Sequence, residues 1–118
     1  RQQPLILREE GSGTRRSVES ALAAVGASLA KDQTALVLGS TQAILQAVAQ
    51  GLGVGFVSAR ASAQAQADGH LACVRLDGVD LRRDLYLAYL RRHSGDALVV
   101  RFLEFAKEFA KKTEPGTG

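Results

Sequence analysis

Two short stretches combine residue types suited to holding an anion: Gly11-Ser-Gly-Thr14 and Gly39-Ser-Thr41. Where such a stretch opens a helix, the first backbone N–H groups have no intrahelical acceptor and the hydroxyls add donors. The helix dipole puts partial positive charge at the same end. An anion is then held without a buried counter-charge, each favourable charge–dipole contact contributing about 0.3–1 kcal/mol before hydrogen bonds are counted. Ser and Thr are also preferred N-caps, so Thr14, Ser40 and Thr41 have a purely structural reading beside the functional one.

Other chemistries find less support. Gly11-Ser-Gly13 begins a dinucleotide-type glycine pattern, but Arg16 stands where its third glycine belongs, and no Gly-Lys-Ser/Thr phosphate loop exists. Gly51-Leu-Gly-Val-Gly55 follows an apolar helical pattern instead of opening one and reads as a tight helix-to-strand connection. A helix-turn-helix over Ala47–Arg60 would need its second helix to pass through Val54-Gly-Phe-Val57, whose composition favours a strand. His70 and His93 lack partners at a metal-ligand interval, so no metal is expected. Without a Gly-x-Ser-x-Gly elbow, only the adjacent Glu9 and Glu10 offer acid–base chemistry. No catalytic residue and no cofactor are assigned, and the chain is read as non-enzymatic.

The elements that must position the two stretches follow from periodicity. Pro4–Arg8, Ala35–Leu38 and Val54–Val57 are short apolar runs with strand character. Between them, Val18, Leu22, Val25 and Leu29 recur at helical spacing, predicting a helix over 15–29 with Gly26 near its end. Ile44, Leu45, Val48 and Leu52 predict a second, closed by Gly51 and Gly53. The order βαβαβ implies parallel strands joined by right-handed crossovers. Residues 58–67, rich in Ala and Gln, predict a weakly packed helix. His70–Leu76 and Asp84–Leu90 predict two more strands, with Asp77-Gly78 as a turn signal, too far apart for a two-residue hairpin. Leu98, Phe102, Phe105 and Phe109 form a stripe on a last helix. The fold class expected is α/β, a mostly parallel sheet flanked by helices.

At 118 residues, 46% hydrophobic and 23% charged, the chain is sized for one ordinary globular domain. A net charge of +3, with its basic pairs scattered, is too small to carry phosphate-backbone binding alone. The single Cys73 cannot form an internal disulfide, which fits a reducing, cytoplasmic setting. No apolar run spans a bilayer, so no membrane partner is expected. The opening Arg-Gln-Gln-Pro reads as a piece cut from a longer chain, and residues 113–118 as a frayed tail.

Five segments in order resemble one family. They are Pro4-Leu-Ile-Leu-Arg-Glu-Glu-Gly-Ser-Gly-Thr-Arg15, Leu38-Gly-Ser-Thr-Gln-Ala-Ile44, Gly51-Leu-Gly-Val-Gly-Phe-Val-Ser58, Leu81-Arg-Arg-Asp-Leu-Tyr-Leu-Ala-Tyr89 and Ala97-Leu-Val-Val-Arg-Phe-Leu-Glu-Phe105. Together they are similar to the effector-binding region of LysR-type transcriptional regulators, over nearly the whole chain to about Lys112.

The resemblance implies one lobe of a fold like the type II periplasmic-binding proteins, in which two α/β lobes meet at a cleft. Residues 1–94 then correspond to the second lobe. Residues 95–112 form a helix that returns to the absent first lobe, docks elsewhere, swaps between chains or stays exposed. The cleft implied takes a small anion or carboxylate effector. Its residues carry over to Gly39, Ser40 and Thr41, and also to Ser12, Gly13, Thr14, Phe56 and Ser58. The full protein is expected to be a homo-oligomer that reaches DNA only through an N-terminal domain absent here, with helix 15–29 as a contact face for a second protomer. Two rivals stay open: a lobe of an extracytoplasmic solute-binding transport protein, and a small anion-using enzyme working through Glu9 or Glu10.

Overall fold

A computed structural model describes residues 3–26, 34–67, 69–77 and 84–113. Strands β1 (Leu5–Arg8), β2 (Thr34–Leu38), β3 (Val54–Ser58), β4 (Leu71–Arg75) and β5 (Leu85–Leu90) form one sheet in the order β2-β1-β3-β5-β4. β1 pairs parallel with both β2 and β3. β5 runs antiparallel to β3 and to β4. Four strands therefore point one way and β5 alone points the other, so the sheet is mostly parallel in direction yet divided in its pairings.

Side chains alternate across this sheet with period two, as strand geometry requires. Leu5, Leu7, Val54, Phe56, Leu85, Leu87 and Tyr89 face one layer, made by α1 (Gly13–Ala24) and α4 (Ala97–Thr113). Ile6, Val57, Ala88 and Leu90 face the other, made by α2 (Thr41–Ala49) and α3 (Ala59–Ala67). The result is three layers with a core on each face of the sheet. α3 buries only Ala61, Ser62 and Ala65, which lets a helix without large apolar residues sit close to the strands.

Helix ends follow capping chemistry. α1 stops at Ala24, short of the expected 29, because Gly26 adopts φ +74 and turns the chain while its N–H donates to the Ala23 carbonyl. Leu29 lies outside the described residues. α2 ends in a paired closure: Gly51 (φ +82) donates to the Val48 carbonyl at 3.0 Å and Leu52 to that of Ala47 at 3.0 Å. That closure, followed by β3 at the centre of the sheet, confirms the helix-to-strand reading of Gly51–Gly55 and excludes a recognition helix there. β4 and β5 form a hairpin whose connection contains Asp77; Gly78 lies outside the described residues.

The stripe on α4 docks on this chain's own sheet. Leu98, Val99 and Phe102 are fully buried, and the Phe102 ring meets Phe56 edge-on, with centroids 5.3 Å apart at 76°. Of the alternatives for this helix, docking elsewhere than on the absent lobe is the one seen in this chain, its apolar side chains filling the layer beside α1. The Phe109 side chain and residues 114–118 lie outside the described residues. Asp96 starts the helix, its Oδ1 accepting from Leu98 N–H at 2.9 Å and Val99 N–H at 3.4 Å. Its Oδ2 accepts from the Gln3 N–H, tying this end to the entry of β1.

Candidate functional site

Parallel strands put successive helix starts on one edge. Arg8 and Leu38 are register partners at the carboxyl ends of β1 and β2, and Ser58 closes β3 beside them. From this edge α1 descends one face of the sheet while α2 and α3 descend the other, so the loop after β1 lies between neighbours that diverge from it. Such a divergence marks the place, outside the strand ends, where open α/β sheets gather their ligands.

Hydroxyls guard each helix start. Ser12 Oγ accepts from Arg15 N–H at 3.4 Å, Ser40 Oγ from Ala43 N–H at 3.1 Å, and Ser58 Oγ from Ala61 N–H at 3.4 Å. Each of the three hydroxyls thus accepts one bond in capping, while its O–H remains available as a donor. Gly39, Ser40 and Ser58 are exposed, and Ser12, Gly13, Thr14 and Thr41 are half-buried. Thr41, the first residue of α2, stands beside the cap rather than in it. Of the anticipated residues, Phe56 must be corrected. Its ring is 2% exposed and packed on Phe102, so it belongs to the core. The other seven share the edge.

Charge at this edge runs against helix convention. Acidic residues favour a first helical turn by about 0.3–1 kcal/mol each, yet α1, α2 and α3 have none there. Arg15, Arg16 and Arg60 occupy first-turn positions instead. Arg15 reaches back to donate from Nη1 to the Arg8 carbonyl at 3.1 Å, clamping the loop between β1 and α1, while its buried Nε has no partner. Glu9 is paired with Arg8 through contacts of 3.0 and 3.4 Å, and this guanidinium holds its carboxyl below the usual carboxylate range. A carboxyl kept ionised in this way is poorly suited to donating a proton at neutral pH, which weakens the acid–base role considered for it.

The sequence reading missed Arg15 at this edge and, at the opposite end of the sheet, the cap Asp96. Arg15 carried no local signal, since its acceptor is seven residues away on a strand end. Asp96 did carry one: an Asp directly before Ala97-Leu-Val-Val is an N-cap pattern. Among the described residues no group of three His, Cys, Asp or Glu could hold a metal ion, and no helix is long and apolar enough to cross a membrane.

Comparison with known proteins matches residues 1–111 to the family described as the LysR substrate binding domain. An HTH-type transcriptional regulator of Methanocaldococcus jannaschii is 38% identical over 100 residues, covering 85% of this chain and 34% of its own. The HTH-type transcriptional activator CmpR of Synechocystis is 32% identical over 103 residues, covering 87% and 33%. The phosphonates import ATP-binding protein PhnC of Anaeromyxobacter dehalogenans is 38% identical over 104 residues, covering 88% and 21%. The chain thus spans about a third or less of the length of these relatives. With the matched region running across all five strands and into the last helix, the chain belongs to the LysR substrate-binding domain family.

Proposed function

We propose that this chain is the effector-sensing lobe of a LysR-type transcriptional regulator, and that its effector is a small anion or organic acid bound at the carboxyl edge of β1, β2 and β3. One observation carries the reading: three hydroxyl-capped helix starts without first-turn acids share an edge, and those of α1 and α3 carry arginines where acids would be more favourable. Recognition is assigned to the hydroxyls of Ser12, Thr14, Ser40, Thr41 and Ser58, with backbone N–H groups around Gly13 and Gly39. In a longer chain a second lobe closes over this edge. Effector binding then shifts the population of lobe arrangements, and through them a cytoplasmic homo-oligomer that holds DNA by a separate domain. Phosphonates belong among the anions to be tried, given the name of the import protein above. ATP binding does not transfer with that name, since this chain lacks a Gly-Lys-Ser/Thr loop.

The test is a calorimetric titration of the full regulator and of this chain with small carboxylates, sulfate and phosphonates. Ser40→Ala confounds binding with the lost cap, so two other substitutions are better. Ser40→Asp keeps a capping oxygen but sets a negative charge against the anion, and Thr41→Val removes a hydroxyl that caps nothing. Binding that Ser40→Asp abolishes, and that Thr41→Val weakens by about fivefold or more, supports the reading. Binding unaltered by both refutes it.

A further inference from the structure

The other end of the sheet holds a hollow of about 500 Å³, lined by Ala49, Gly69, His70, Leu90, Arg91 and Arg92. It forms where α2 ends, β4 begins and β5 gives way to a 3-10 turn, Arg91–His93. This volume lies within the range of small-molecule sites. Leu90 is buried and supplies an apolar wall, while both arginines are exposed.

The two guanidinium groups are placed, each by a different device. Arg91 is anchored twice: its backbone N–H donates to the His70 carbonyl at 3.0 Å and its Nε to the Gly69 carbonyl at 3.1 Å. Its two terminal NH2 groups are left for other acceptors. Arg92 Nη2 lies 3.4 Å from where a Cβ on Gly51 would sit, so a bare glycine at the end of α2 gives it room. The carbonyl-rich end of that helix favours a cation there. Glu9 pairs with Arg8, and Asp77 and Asp84 pair with Arg75; none of these carboxylates lines the hollow. Helix-end complementation accounts for Arg92 but leaves unexplained why Arg91 is pinned beside it over an apolar wall.

We propose that this hollow is a second anion site, taking a carboxylate or phosphate attached to a small body, at the opposite end of the sheet from the hydroxyl-capped edge. Planar guanidinium donors suit two-oxygen recognition of such groups, and Leu90 suits an apolar remainder. The site shares no residue with that edge and stands or falls separately from it.

Amide-resolved NMR titration of this 118-residue chain, with benzoate and with inorganic phosphate in separate arms at constant ionic strength, tests it. The expected result is saturable shifts at Gly69, His70, Arg91 and Arg92 in at least one arm. Benzoate alone assigns a carboxylate on an apolar body, phosphate alone a phosphate, and both an oxyanion in general. Arg91→Gln and Arg92→Gln should each weaken binding by about tenfold. Arg92→Lys should retain part of it. Shifts that stay linear with concentration in both arms, that persist undiminished in the doubly substituted chain, or that fall only on residues 11–14 and 39–41 overturn the proposal.

Discussion

Gly55→Ala probes the contact that sets α2, and with it Ser40 and Thr41, against the sheet. A Cβ on Gly55 would overlap Ile44 Cγ2 and come within 3.5 Å of Val48 Cγ2. Ile44 is 1% exposed and branched at Cβ, which leaves it one strongly preferred rotamer in a helix, so its methyl cannot swing aside. The helix must retreat instead. Overpacking of this kind costs about 1–3 kcal/mol, offset by roughly 0.5–1 kcal/mol from removing a glycine within a strand. The net expectation is a loss of about 1–2 kcal/mol, or roughly 4–10 °C in Tm for a domain of this size. Ile44→Leu moves the branch from Cβ to Cγ at nearly constant volume, so the double variant should recover part of the loss. Urea and thermal unfolding of the four chains give a coupling energy, expected to exceed about 0.5 kcal/mol in the rescuing direction. A Gly55→Ala chain as stable as the parent, or strictly additive losses, would show that α2 does not rest on Gly55.

Other perturbations test the remaining contacts. Phe102→Ala should cost about 3–5 kcal/mol in denaturant unfolding, because a fully buried ring and its edge-on partner Phe56 are lost together; a change below about 1 kcal/mol would mean α4 is not docked on this sheet. Ser40→Ala should cost about 1 kcal/mol by the same measurement and Ser40→Asp much less, since the aspartate restores the cap to Ala43. Asp96→Ala should destabilise by about 1–3 kcal/mol by removing the start of α4 and leaving the Gln3 N–H without its acceptor. Burial pushes the Cys73 thiol and the Tyr89 phenol up from their ordinary values of 9.0 and 10.0. Above about pH 9 the unfolded chain therefore releases protons that the folded chain retains, and stability should fall as pH rises. Unfolding curves between pH 8 and 10.5 should show this decline, and Cys73→Val should flatten its first part.

Much of this fold was legible because its signals are local. Ser before a helical pattern and Gly after one marked the limits of α2 nearly to the residue, and the alternation in Leu5-Ile-Leu7 and Val54-Gly-Phe56 follows from strand geometry. What stayed hidden depends on which strand lies beside which. Phe56 looked like part of the site because it nears the end of β3, but the pleat turns its side chain into the core while Ser58, two residues on, lies at the exposed edge. The placement of β5 between β3 and β4 rests on register pairs such as Gly55 with Ala88, to which no neighbouring residue points. The fate of the α4 stripe was ambiguous for a related reason. An apolar face states that something covers it, and only the assembled layer names Val18, Leu22 and Phe56 as what it meets.

The one reversed strand also divides how the molecule must assemble. Arg75 meets Tyr86 through a short hairpin, whereas Leu5 must find Val54 across two helices and an intervening strand. Closing the longer loop costs more entropy before any contact rewards it. The β4–β5 half is accordingly the one able to form early, and the half bearing the hydroxyl-capped helix starts waits on the remote pairing of β1 with β3. When the whole chain refolds, the edge that carries Ser12, Ser40 and Ser58 is therefore the later product, completed only once residues 54–58 have received β1.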